Sequence, residues 1–243
     1  MIFLVTDFGL EGPYVGQMKA VLASRAPGVP VIDLFADAPA FRPRPSAYLL
    51  AAYAAIGAPG SVFLAVVDPG VGSERAALFL QAGGRWFVGP DNGLLAIAAR
   101  AGEARVWRAG TNAAPLSATF HGRDLFAPLA ADLALGRQPD RDEGALADMV
   151  GADWPDDLAE IVYLDHYGNG MTGIRAATLG PDATVEVAGQ RLGHARTFSD
   201  VAAGAAFWYG NANGLVEIAV SGGRADAVLG LEIGMAVTVG IRP

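Results

Sequence analysis

Apolar positions come in two rhythms along the first half of the chain. Ile2–Val5 is a short apolar run that ends at Thr6-Asp7-Phe8-Gly9, and it predicts a buried strand. From Tyr14 to Ser24 the spacing changes: Val15, Met18, Val21 and Leu22 fall on one face of a helix, with Pro13 suited to its first turn. Val31–Phe35 predicts a second strand. Ala36–Pro45 holds three prolines and predicts no regular element, and Ser46–Ile56 predicts an alanine-rich helix closed by Gly57. Ser61–Val67 predicts a third core strand running into Asp68. Ala76–Gln81 and Arg85–Val88 flank Ala82-Gly83-Gly84 as a hairpin, and Ala104–Arg108 is a further strand. Asn92 is placed to cap a helix through Leu94, Leu95, Ile97 and Ala98. Gly122–Leu135 predicts a helix with Leu125, Leu129 and Leu133 turned inward. Strands alternating with helices predict an α/β domain around a central, mostly parallel sheet.

The pattern changes after Gly136. Gln138–Asp157 carries Asp140, Asp142, Glu143, Asp148, Asp153, Asp156 and Asp157 with two prolines, which predicts a solvated connection. Short alternating runs follow at Ala159–Leu164, Thr184–Ala188, Gly214–Val220 and Met235–Ile241, separated by turns such as Gly168-Asn169-Gly170. They predict a smaller all-β domain, a sandwich or barrel. The expected division is therefore 1–140, a linker at 141–158, and 159–243.

Composition narrows the chemistry. The chain has 243 residues and a formal net charge of −8, with no basic run to neutralise phosphates, so a nucleic-acid partner is not expected. It has no cysteine, which excludes disulfides, thiolate catalysis and zinc–sulfur sites. Met1 leads directly into a strand, and no apolar run has the length of a membrane span. The expectation is a cytoplasmic protein without a signal peptide or a membrane partner.

Asp7 and Asp68 both follow a core strand, where open α/β sheets place their ligand sites. Gly70-Val71-Gly72 begins like a dinucleotide loop, but Arg75 stands where a third glycine is needed, and a strand follows instead of a helix. Most Asp–Arg pairs are structural, and on residue types alone a loop-holding pair is the first reading of Asp68 and Arg75. There are three histidines. His166 and His194 sit in turn contexts, whereas His121 lies at a helix start beside Arg123 and Asp124 and is a pocket candidate. A divalent ion held by Asp7, Asp68, Asp124 and His121 is an alternative use of the same groups, although no metal-type histidine spacing is present.

Six motifs taken together carry a resemblance: Thr6–Gly9 (TDFG) with Pro13–Lys19, Asp68–Arg75 (DPGVGSER), Gly89–Leu95 (GPDNGLL), Thr119–Pro128 (TFHGRDLFAP) and Tyr167–Asn169 (YGN). The chain resembles the S-adenosyl-L-methionine (SAM) hydroxide adenosyltransferases, the adenosine-forming SAM hydrolases, which are related to the SAM-dependent fluorinase and chlorinase. The resemblance implies an α/β domain joined to a C-terminal β-barrel, and a homotrimer with SAM bound at subunit interfaces. It implies hydrolysis of SAM to adenosine and L-methionine, with SAM as substrate and neither cofactor nor metal. Asp68, Arg75 and His121 match the catalytic trio. Asp7 matches the residue that holds the ribose hydroxyls, Asp165 and Asn169 match contacts to the methionine end and the adenine, and Phe198 matches an aromatic near the adenine. A SAM halogenase, or a SAM or adenosine sensor without turnover, is the competing expectation. In the fluorinase a serine stands two positions after the matching aromatic, whereas here Gly122 follows His121, and Asp68 would repel a halide.

Overall fold

A computed structural model describes residues 1–110, 117–180 and 182–241. The chain divides into two compact units, Met1–Trp154 and Pro155–Pro243.

In the first unit β1 (Ile2–Thr6) leads through α1 (Tyr14–Arg25) to β2 (Val31–Phe35), and α2 (Pro43–Tyr53) leads to β3 (Val62–Val66). The hairpin β4 (Ala77–Ala82) and β5 (Arg85–Pro90), then β6 (Ala104–Ala109), complete the expected strands. A π-helical turn at Gly122–Phe126 runs into α3 (Ala127–Ala134), and β7 (Arg141–Gly144) follows. The seven strands form one sheet in the order β2-β1-β3-β5-β4-β6-β7. β2, β1, β3 and β5 are mutually parallel, and β6 runs with them because it is antiparallel to β4, itself antiparallel to β5. Five of the seven strands thus share a direction, and the sheet is mostly parallel in that sense.

Side-chain alternation divides the core. Ile2, Leu4, Val62, Leu64 and Val66 pack with Met18 and Leu22 of α1 and with Phe126, Ala130 and Leu133. Residues of the other parity make an aromatic ladder across paired positions: Phe3 stacks on Phe63 at 4.8 Å and Phe63 on Phe87 at 5.3 Å.

Four expectations need correction here. The second helix starts at Pro43, within the proline-rich stretch, because proline in a first turn gives up no intrahelical hydrogen bond. Asn92 starts no α-helix; residues 94–97 form turns and a 3₁₀ turn follows at Ala98–Arg100. The inward face of α3 is Phe126, Ala127, Ala130, Ala131 and Leu133, while Leu125 and Leu129 are only partly buried, because the π turn rotates the register. Part of the acidic connection, Arg141–Gly144, pairs with β6 as an edge strand, where charged side chains remain in solvent.

The second unit contains two antiparallel sheets. β8 (Leu158–Leu164), β9 (Gly170–Arg175), β12 (Ala206–Gly210) and β13 (Leu215–Val220) form one in the order β12-β13-β9-β8. β10 (Ala183–Val187), β11 (Gln190–Leu192) and β14 (Thr238–Ile241) form the other in the order β11-β10-β14. The short helix α4 (Ala225–Leu229) follows β13. Ile161, Val185, Trp208, Val216 and Ile218 share one core, and the Trp208 indole N–H donates to the Ala183 carbonyl at 3.1 Å. Among the described residues no helix is long and apolar enough to cross a membrane.

Candidate functional site

Two neighbouring parallel strands, β1 and β3, end together at the pair Thr6 and Val66. β1 leads to β2 on one side, and the chain then returns to β3 on the other. That reversal opens a crevice beyond the carboxyl ends of the strands. Asp7 and Asp68 leave their strands at this point, and both line a cavity of about 360 Å³.

The loop after Asp68 is wound to return Arg75 to it. Val71 N–H donates to the Asp68 carbonyl at 3.2 Å, and Ser73 N–H to that of Gly70 at 3.1 Å. Gly72 has φ +82°, and a Cβ there would lie 2.5 Å from the Ala118 carbonyl oxygen, so this position is confined to glycine. Arg75 Nε then donates to Asp68 Oδ1 at 2.7 Å, and Nη2 donates to Oδ2. The side chains are 9% (Arg75) and 4% (Asp68) exposed. The guanidinium carbon also lies 5.2 Å from the centre of the Phe126 ring. Arg75 Nη2 reaches His121 Nδ1 at 3.1 Å. His121 enters from the start of the π turn, as the residue before Gly122. Burial, and then the neighbouring Arg75 charge, lower its pKa from the ordinary 6.5, with Asp68 and Asp124 acting the other way.

Asp7 Oδ2 accepts the Phe41 backbone N–H at 2.9 Å. Its pKa is raised from 3.8, chiefly by burial, against the lowering effect of that hydrogen bond. The motif around Asn92 serves the same corner from behind: Asn92 Nδ2 donates to the Val67 carbonyl at 2.9 Å, fixing the residue before Asp68. The Asp124 carboxylate pairs with Arg123 Nε at 2.5 Å and accepts the Ser117 N–H at 3.0 Å. It is committed elsewhere, and among the described residues no cluster of three or more potential ligands could hold a metal ion.

The cavity also has an aromatic wall that the sequence pattern did not reveal. Phe8, Tyr14 and Phe120 pack mutually at 5.5–5.9 Å and line it with Phe41. Phe41 is 76% exposed and sits at φ 61°, a strained backbone conformation for a bulky residue. That combination, an aromatic ring in a left-handed turn, is invisible to periodicity.

The remaining site candidates meet in the second unit. Asp165, Asn169 and Phe198 line a recess of about 680 Å³ with Tyr209, Glu217 and Arg224. Asp165 Oδ1 accepts the Asn169 backbone N–H at 2.8 Å and Oδ2 accepts its side-chain amide at 3.0 Å. Arg224 grips the same turn, donating to the His166 carbonyl at 2.8 Å while its Nη2 pairs with Asp226 Oδ2 at 2.7 Å. Glu217 is 3% exposed, and its carboxylate accepts from Tyr209 Oη and, at 2.9 Å, from Asn211 Nδ2. Tyr209, beside an Asn-rich turn, is the kind of aromatic that could stack a flat ring; Glu217 and Arg224 were not among the sequence candidates, though a glutamate inside an otherwise apolar strand was a usable signal. His166 and His194 are exposed; His166 lies in a turn as expected, whereas His194 forms a β-bridge with Trp208 and its ring lies 4.5 Å from that indole.

The model for a SAM hydroxide adenosyltransferase N-terminal domain matches residues 2–142, and that for the C-terminal domain matches 159–238. A Thermus thermophilus protein named (R)-S-adenosyl-L-methionine hydrolase is 42% identical over 97% of this chain and 98% of its own. A Salinispora tropica protein of the same name is 40% identical over 98% of each. Among solved structures, an uncharacterized conserved protein from Thermotoga maritima matches with a TM-score of 0.85 at 30% identity, covering 99% of this chain and 100% of that one. A conserved hypothetical protein from Thermus thermophilus matches with a TM-score of 0.78 at 37% identity, over 98% and 99%.

Proposed function

The chain belongs to the SAM hydroxide adenosyltransferase family, and from that premise we propose that it hydrolyses SAM to adenosine and L-methionine by in-line attack of water at the ribose C5′. The observation that carries this reading is the contact chain Asp68–Arg75–His121 beside a cavity that also holds Asp7. A sulfonium is an excellent leaving group, so no acid need protonate it. The demand is to present one oxygen nucleophile, poorly hydrated and in line. As the O–C5′ bond forms, the C5′–S pair passes to sulfur, which leaves as the neutral thioether of methionine. Arg75 stays charged throughout, and its field favours loss of the proton, and with it the positive charge, that the attacking oxygen carries as the bond to C5′ forms. Asp68 and His121 fix the oxygen's orientation, and the water's proton is taken up within the trio.

In this proposal Asp7 accepts hydrogen bonds from the vicinal ribose hydroxyls, and Asp165, Asn169 and Phe198 receive the methionine end and the adenine. No metal or other cofactor takes part. The assembly is a cytoplasmic homotrimer with sites at subunit interfaces and a barrel-like closure of the C-terminal sheets. Exposed aromatics at both concavities, with Phe41 76% and Tyr167 73% exposed, support cover by a partner subunit. Light scattering tests the assembly; a fully active monomer would remove it. The reaction is tested by incubating the protein with SAM in oxygen-18 water, with and without chloride. Adenosine labelled in its 5′-hydroxyl is expected. A 5′-chloro nucleoside, or no product, would overturn the reading.

A further inference from the structure

We infer that His121 works as a fixed hydrogen-bond donor with its proton on Nε2, and that the attacking water gives up its proton to Asp68 and not to the imidazole. This rests on the SAM-hydrolysis reading for its substrate, but its first premise is a property of the free protein. Arg75 Nη2 lies 3.1 Å from His121 Nδ1. A guanidinium has five N–H donors and no acceptor, and it does not deprotonate in a protein. The contact is therefore a hydrogen bond only if Nδ1 carries a lone pair. A neutral imidazole has one donor and one acceptor nitrogen, so its proton is on Nε2.

Arg75 is held where it is. Asp68 takes its Nε–H at 2.7 Å and an Nη2–H, the Phe126 ring lies under the guanidinium, and the side chain is 9% exposed. For His121 to act as a base, a second proton would have to enter at Nδ1, facing that cation, because Nε2 is already occupied. Burial and the Arg75 charge both oppose protonation; Asp68 and Asp124 favour it but rank below them. The polar group left for the ring to offer the cavity is the Nε2–H, which can hold a lone pair of the water.

Asp68 has the complementary capacity. Each carboxylate oxygen has two lone pairs, and Arg75 engages each oxygen once. Both Asp68 and His121 line the cavity. The atoms balance without a strong base. When the water oxygen has bonded to C5′ and the C5′–S pair has gone to sulfur, the new group is a protonated alcohol. That species is far more acidic than a carboxylic acid, so the Asp68 carboxylate accepts its proton and later releases it to solvent.

The test begins with nitrogen-15 NMR of histidine-labelled protein without substrate, at neutral pH. Only three histidines are present, so loss of one signal set in His121→Gln assigns the ring. His121 should show a protonated Nε2 and an unprotonated Nδ1; a protonated Nδ1 overturns the inference whatever the enzyme's substrate. Turnover of SAM supplies the second arm. The glutamine amide can reproduce an Nε2–H donor, whereas asparagine reaches only the Nδ1 position. His121→Gln should therefore keep turnover within about 10-fold of the wild type, and His121→Asn should lose 100-fold or more, the scale of a positioned catalytic group. Equal large losses in both variants, each confirmed folded by its melting transition, would restore His121 as the base. If the tautomer is as expected and the wild type yields no adenosine, the hydrolase reading fails and the donor assignment of the ring stands.

Discussion

Replacing Arg75 by methionine removes the cation from a pair whose acid is 4% exposed and leaves Asp68 buried with neither of its guanidinium donors. Breaking one side of a buried pair costs about 3–5 kcal/mol, since the remaining charge is uncompensated. For a chain of this size each kcal/mol moves the melting temperature by about 2–4 °C, so a fall of roughly 6–20 °C is expected. Asp68→Asn in the same chain removes the stranded charge at nearly constant volume. The double variant should therefore melt close to the wild type, because replacing a buried pair outright is often neutral. Turnover separates the two roles that an Asp–Arg pair can have. If the pair only holds its loop, the double variant regains activity together with stability. If it serves the reaction, turnover stays down by about 10²–10⁴-fold in the single and double variants alike, because residues acting as a unit do not add. Calorimetric melting and single-turnover product analysis read the two quantities separately. An unchanged melting temperature in Arg75→Met refutes the buried-pair argument, and recovered turnover in the double variant refutes the catalytic one.

Asp7→Asn should keep the acceptor for the Phe41 N–H and remove the buried charge, so the variant should melt higher yet bind SAM more weakly by about 1.5–3 kcal/mol; unchanged affinity by calorimetry excludes Asp7 from the ribose contact. The pKa of Asp7 is raised on folding, so its charged form is a cost at neutral pH that is relieved as pH falls through that raised value, while ribose binding is lost over the same interval. His121 behaves in the opposite sense: its folded pKa lies below the ordinary 6.5, so the group has no effect on stability well above 6.5 and costs stability as pH falls below it, where the unfolded chain protonates first. Melting in His121→Gln should lose that acid-side dependence. Arg224→Ala should raise the KM for SAM about 10-fold with little change in kcat, because it frees the turn carrying Asp165 and Asn169; an equal fall in kcat places the turn's role in the chemical step.

Much of this fold was legible because its strands are apolar runs that stop at turn residues. β1, β3 and the β4–β5 hairpin needed no other signal. β9 was missed, since Gly170-Met171-Thr172-Gly173 has neither the alternation nor the bulk of a strand. Packing explains the glycines: a Cβ on Gly170 would meet Leu231 Cδ1 at 2.8 Å, and one on Gly173 would meet the Leu158 Cβ at 2.6 Å. Small residues there are dictated by neighbours distant in sequence, which no local pattern records. The site divides in the same way. Acids at strand ends are local features and could be read directly. The aromatic wall of Phe8, Tyr14, Phe41 and Phe120 is assembled from three loops and one helix start, and only the folded chain brings it together.

The position of the cavity follows from topology before any side chain is considered. β1 and β3 are paired in parallel with Thr6 opposite Val66, so the residue one or two places past each strand must emerge at the same sheet edge. A carboxylate in that place is costly to bury alone, as the raised pKa of Asp7 shows. The two acids meet that cost differently. Asp68 is neutralised by Arg75, which its own glycine-bearing loop returns to it, whereas Asp7 accepts backbone N–H groups, that of Phe41 and its own, and burial still raises its pKa. A neutralised acid beside an incompletely compensated one gives the cavity two unlike ends. Under the hydrolase proposal the first orients water and takes its proton without attracting free cations, and the second retains an unmet demand for hydrogen-bond donors, which a vicinal diol supplies.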